Sequence, residues 1–68
     1  MISVSSSMMT AVAYDARTRT LTIRFVEGGR YRYRAVPRAV FDALLAAPSK
    51  GRFFHEEIDG RYRYAREE

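Results

Sequence analysis

The 68-residue sequence predicts an α+β fold: a three-stranded antiparallel meander with one covering helix, a second short helix and an extended C-terminal segment. Three observations lead there. Apolar residues alternate with polar ones as far as Ala35, the pattern of half-buried strands, and after Pro37 the apolar spacing becomes that of a helix. The chain is also short enough for only one small core, since a domain of about 60 residues buries only roughly 60% of the surface its unfolded chain exposes.

Residues 1–8 are rich in serine and methionine and lack periodicity, so they are expected to form a disordered leader, with a single domain over residues 9–66. Val12 and Tyr14, then Leu21, Ile23 and Phe25, then Tyr31, Tyr33 and Ala35 make three runs of period two. A two-residue Gly28-Gly29 turn would set Phe25 against Arg32 and mix the apolar row with charge. A three-residue loop, Glu27-Gly28-Gly29 with a left-handed glycine bulge, sets Phe25 against Tyr31, Ile23 against Tyr33 and Leu21 against Ala35. One face is then apolar and aromatic. The other collects Thr20, Thr22, Arg24, Arg30, Arg32 and Arg34, with Ala11 and Ala13 beside them.

Pro37 pre-sets the first turn of a helix running to about Ala46, whose Val40, Phe41, Leu44 and Leu45 recur at helical spacing and cover the apolar face. Ala47-Pro48 ends it. Ser49 is placed to cap a second short helix through Phe53, Phe54 and Ile58, which stops at Asp59-Gly60. The tail repeats an earlier pentad: Gly29-Arg30-Tyr31-Arg32-Tyr33 and Gly60-Arg61-Tyr62-Arg63-Tyr64. A second extended segment follows from that repeat, with Tyr62 and Tyr64 facing the core as Tyr31 and Tyr33 do.

These residues together resemble a known family. Tyr14-Asp15, Leu21-Thr22-Ile23-Arg24-Phe25, Gly28-Gly29 ahead of Tyr31 and Tyr33, Val36-Pro37, Ala47-Pro48-Ser49-Lys50-Gly51, Phe53-Phe54, Ile58 and the closing Tyr62 and Tyr64 form a pattern similar to that of the KTSC domain. That family is named for its place at the C-terminus of some lysyl-tRNA synthetases and also occurs as free-standing small bacterial proteins. The resemblance runs from about Ser5 to Arg66; it brings no established activity with it, and through the synthetase context it suggests contact with RNA. Family members often carry proline between the last two tyrosines. Here Arg63 stands there, keeping an amide donor and adding a charge.

Charge distribution points the same way. The chain carries twelve basic residues against eight acidic ones, and eleven of the twelve are arginine. Between Arg17 and Arg38 seven arginines meet a single acid, Glu27, a local charge of +6. Arginine's planar fork fits phosphate oxygens, so Arg24, Arg30, Arg32 and Arg34 are the candidate nucleic-acid-binding residues. A solvated, edge-protecting sheet surface would use the same charges. Tyr31, Tyr33, Tyr62 and Tyr64 could be stacking platforms for bases, but the strand register favours a core role for their rings.

Catalysis finds little support. The lone His55 is followed by Glu56 and Glu57, which a helix turns away from its own face, and Ser3, Ser5, Ser6 and Ser7 have no base that spacing would bring near. Zero cysteines and one histidine exclude a Cys/His metal site and a disulfide framework. No cofactor or metal is expected. Ser49 with Lys50 could bind an anion at a helix N-terminus, with a plain cap as the alternative. No apolar run is long enough for a membrane span and no export signal is apparent, so a cytoplasmic protein is expected. The expected function is a small non-enzymatic binding module for RNA; a protein-interaction or self-association module is the alternative.

Overall fold

The computed structural model describes residues 1–67. An α+β architecture is what it shows, with five strands rather than three in one antiparallel sheet of order β1-β2-β3-β4-β5. The strands are β1 (Ile2–Ser3), β2 (Met9–Asp15), β3 (Thr20–Phe25), β4 (Arg30–Tyr33) and β5 (Tyr64–Arg66). Between β4 and β5 come α1 (Arg38–Ala46) and α2 (Lys50–Phe53), the latter running on as a π-helical turn over Phe54–Ile58.

Of the two added strands, β1 lies in a segment without period-two alternation, whereas β5 begins at the last residue of the alternating tail expected as an extended segment. Residues 1–8, expected as a disordered leader, instead supply β1, with Ile2 opposite Val12 and Ser3 opposite Ala11. The Val4 N–H donates to the Thr10 carbonyl at 3.1 Å, and the Ser6 hydroxyl accepts from the Met8 N–H at 3.1 Å. Val4 and Met8 pack against the core from that segment. At the other end β5 pairs with β4, Tyr33 opposite Tyr64 and Tyr31 opposite Arg66.

The hairpin between β3 and β4 keeps the expected loop length, but the loop lies one residue earlier in the chain. The Phe25 N–H donates to the Gly29 carbonyl at 3.2 Å and the Gly28 N–H to the Phe25 carbonyl at 3.0 Å, so the three-residue loop is Val26-Glu27-Gly28. Gly28, at φ +103°, takes the bulge position, which a residue with a Cβ would occupy under strain. Ile23 consequently faces Tyr31, and Leu21 faces Tyr33, where the sequence suggested Tyr33 and Ala35. The shift is two residues, an even number, so every side chain keeps its face. Ala35 leaves the sheet altogether, at φ +57°.

The core lies between the apolar sheet face and the helices. Met9, Val12, Leu21, Ile23, Val36, Leu44 and Ile58 are fully buried. Pro37 sits one residue before α1 as its N-cap, and Phe41 and Leu44 are the residues α1 buries. The Phe41 ring stacks on Tyr14 with centroids 5.2 Å apart, and the Tyr14 hydroxyl donates to the Val36 carbonyl at 2.6 Å, tying β2 to the entry of α1. Ser49 caps α2 as expected, accepting from the Arg52 N–H at 3.3 Å. The helix then widens, because Asp59 N–H bonds to the Phe54 carbonyl five residues back at 2.8 Å. This turn buries Phe54 and Ile58 together.

Candidate functional site

Strand alternation separates the surface of the sheet into two chemically different regions. On the face turned away from the helices, Arg24 of β3 stands opposite Arg30 of β4, and Thr22 opposite Arg32. Ala11 and Ala13 of β2 flank Arg24 and Thr22. The expected convergence of Arg24, Arg30 and Arg32 is present.

Two details of that face escaped the sequence. First, the β4–β5 register brings Glu67 opposite Arg30, with the Glu67 N–H donating to the Arg30 carbonyl at 2.7 Å. Its carboxylate reaches two guanidinium groups, Oε1 lying 3.0 Å from Arg30 Nε and Oε2 3.4 Å from Arg32 Nη1. Arg30 Nε is shielded from solvent and the carboxylate oxygen stands off its N–H direction, so the contact is ionic rather than a formed hydrogen bond. Second, the Arg34 N–H donates to the Arg63 carbonyl at 2.9 Å, which sets Arg34 just past the end of β4 and Arg63 opposite it. The exposed Arg63 therefore joins the candidate surface. The repeated pentad was the available signal, since its alternation assigns Arg63 the same face that Arg32 has in the first copy.

A like-charge pair directly across two strands is unfavourable, and Arg24 with Arg30 is such a pair. Glu67 answers it from the other side. Across β3, β4 and β5 the order of charge is positive, positive, negative, with Arg32 sharing the carboxylate.

The tyrosines divide. Tyr33 is buried, Tyr31 and Tyr62 are half-buried against the core, and Tyr64, expected to face the core, is 59% exposed because β5 is an edge strand of the described sheet. Tyr31, Tyr33 and Tyr64 nevertheless share a ring cluster with Phe25 and Phe54 on the helix side of the sheet, where they line an open cleft of about 510 Å³. Burial, with the Asp59 carboxylate next in effect, holds the Tyr33 hydroxyl well above the ordinary tyrosine range.

The remaining candidates have structural roles. Lys50 Nζ donates to the Ala47 carbonyl at 3.1 Å, capping the end of α1 instead of presenting its charge to an anion. His55 is exposed on the π-helical turn, its Nδ1 3.6 Å from Asp59 Oδ2. Among the described residues no helix is long and apolar enough to cross a membrane.

Comparison with known proteins adds a lineage to this geometry. The family model described as the KTSC domain matches residues 5–62. A lysine–tRNA ligase of Nostoc sp. is 43% identical over 58 residues, which are 85% of this chain and 10% of that protein. The chain thus spans about a tenth of the length of the ligase it matches. A free-standing small protein of Tsukamurella paurometabola is 45% identical over 60 residues, covering 88% of this chain and 90% of its own. Among solved structures, the crystal structure of a KTSC domain protein from Yersinia pestis superimposes with a TM-score of 0.91 at 40% identity, over 93% of this chain and 89% of that one.

Proposed function

The chain belongs to the KTSC domain family, and from that premise we propose that it is a small non-catalytic module that holds RNA by its phosphates on the arginine face of the sheet. One observation carries the reading: the hairpin register gathers Arg24, Arg30 and Arg32 on the face that no helix covers, with Arg34 and Arg63 at its end. Arginines two residues apart on a strand lie about 6.7 Å apart, and neighbouring strands about 4.8 Å apart, so the guanidinium groups form a plane rather than a point. Such a plane positions a backbone and reads no sequence. Relatives named as lysine–tRNA ligases act, by that name, on a tRNA, which supports RNA as the phosphate polymer and the cytoplasm as the setting.

Within the face the residues do different work. Arg24, Arg32, Arg34 and Arg63 are exposed and are the contact residues. Arg30, half-buried beside Glu67, holds the carboxylate in place.

The test is binding to a labelled tRNA pool, single-stranded RNA and duplex DNA across roughly 50 to 200 mM salt, where several phosphate contacts weaken affinity by orders of magnitude. Arg32→Glu with Arg34→Glu should abolish binding and leave the fold intact. Unchanged affinity in that variant, or no binding at low salt, overturns the reading. A second reading, self-association by strand addition, rests on β5, which ends the sheet with one side unpaired. It requires a mass that rises with concentration and is insensitive to salt.

A further inference from the structure

On the helix side of the sheet five aromatic rings form a closed circuit. Phe25 meets Tyr31 edge-on at 5.4 Å, Tyr31 meets Tyr64 at 5.6 Å, Tyr64 meets Tyr33 at 5.5 Å, Tyr33 meets Phe54 edge-on at 5.8 Å, and Phe54 returns edge-on to Phe25 at 5.3 Å. All five line the same cleft. Rings that serve a core alone are covered; here Tyr64 is 59% exposed at the mouth, while Tyr33 behind it is 4% exposed.

The charged residues that line the cleft have one sign. Asp59 and Glu27 line it, and the basic residues do not. Asp59 is fixed there by the π-helical turn, whose closing hydrogen bond runs from the Asp59 N–H to the carbonyl of Phe54, itself a wall of the cleft. Tyr33 is buried as a residue, yet among the described residues its hydroxyl makes no hydrogen bond and is not shielded from solvent, so it opens to the cleft. Tyr33 lines the cleft, its ring packed against Phe54 and Tyr64, which line it too. One guanidinium already uses the outer wall: Arg66 Cζ lies 5.8 Å from the centre of the Tyr31 ring.

Aromatic faces present negative charge to whatever lies between them, and carboxylates at the rim add to it, a combination that attracts organic cations and repels phosphate. We propose that this cleft is a receptor for a small organic cation, an alkylammonium or guanidinium headgroup, held between the ring faces of Phe25, Phe54 and Tyr64 with its charge toward Asp59 and Glu27. The Tyr33 hydroxyl supplies the remaining polar contact. The site lies across the sheet from the arginine face, so the two can fail separately.

The test is titration of the whole protein with choline and with 3,3-dimethylbutan-1-ol, its neutral isostere, followed by the NMR signals of the five rings. Nα-acetyl-lysine amide and its Nζ-trimethylated form stand for a cation carried on a peptide, and whichever of these or choline binds more tightly identifies the source. Saturable shifts are expected for the cations, with affinity about tenfold above the neutral isostere. Asp59→Asn should weaken the cation severalfold and leave the isostere unaffected, and Tyr64→Ala should weaken both while the amide spectrum stays native. Equal binding of the isostere, tighter binding of adenosine than of any cation, or no saturation at tens of millimolar would each overturn the proposal.

Discussion

Replacing Glu67 with glutamine removes the carboxylate that spans Arg30 and Arg32 while keeping the side chain's size. Its oxygens lie 3.0 and 3.4 Å from the two guanidinium groups, and the side chains involved are 31–50% exposed. Ion pairs so open to solvent contribute up to about 1 kcal/mol each. Without the carboxylate the Arg24–Arg30 pair loses its counter-charge, at a cost of a few tenths to about 1 kcal/mol. The expected loss of stability is therefore about 1–2 kcal/mol, of which each 1 kcal/mol lowers Tm by about 4–8 °C in a domain of this size. RNA binding moves the opposite way, because phosphate no longer competes with Glu67 for Arg30 and Arg32. Two contacts of up to about 1 kcal/mol each correspond to a gain of about 5- to 30-fold in affinity. Each phosphate newly engaged steepens the dependence of log affinity on log salt by about 0.7 on a single strand and about 0.9 on a duplex. Fluorescence anisotropy with labelled RNA at several salt concentrations reads the affinity and slope, and a circular-dichroism melt reads the stability. A Glu67→Gln protein that melts as expected yet binds RNA with unchanged or lower affinity and unchanged slope would refute the competition.

Tyr14→Phe removes the hydroxyl that donates to the Val36 carbonyl at 2.6 Å and leaves that carbonyl without this partner. A loss of about 1–2 kcal/mol is expected in chemical denaturation, with the Tyr14–Phe41 stacking preserved; an unchanged midpoint would mean that water replaces the hydroxyl at no cost. Tyr33 predicts an alkaline limit to folding. Its neutral form is favoured by burial and by the Asp59 carboxylate, so its hydroxyl ionises more readily in the unfolded chain. The stability this contributes is complete below the ordinary tyrosine value of about 10 and declines as pH rises above it. Tyr33→Phe should flatten the fall in Tm above pH 10, and an identical fall in both proteins would assign the alkaline sensitivity elsewhere.

Much of the fold was legible because period and parity survive small errors. The β3–β4 register differs from the one the sequence suggested by two residues, and the faces are unaffected because side chains alternate with period two. Helix α1 followed from Pro37 and the spacing of Val40, Phe41, Leu44 and Leu45, and the cap of α2 from Ser49. The arginine face was legible for the same reason, since Arg24, Arg30 and Arg32 needed only the correct parity.

Pairing at the two ends of the chain was not legible. Ile2–Ser3 is too short to show a period, and it becomes a strand because the edge of β2 offers unpaired backbone groups. Tyr64–Arg66 joins β4 after the π-helical turn and the reversal at Gly60, φ +78°, have aimed the chain back at the sheet. The position of Glu67 between two arginines follows from that return, as does the exposure of Tyr64. Local sequence thus determined the three central strands, the helices and which residues share a face, because those depend on neighbours two to four positions away. Tertiary structure alone decided the partners brought together over long separations: Glu67 with Arg30, Arg63 with Arg34, and Phe25 and Phe54 with three tyrosines around one cleft.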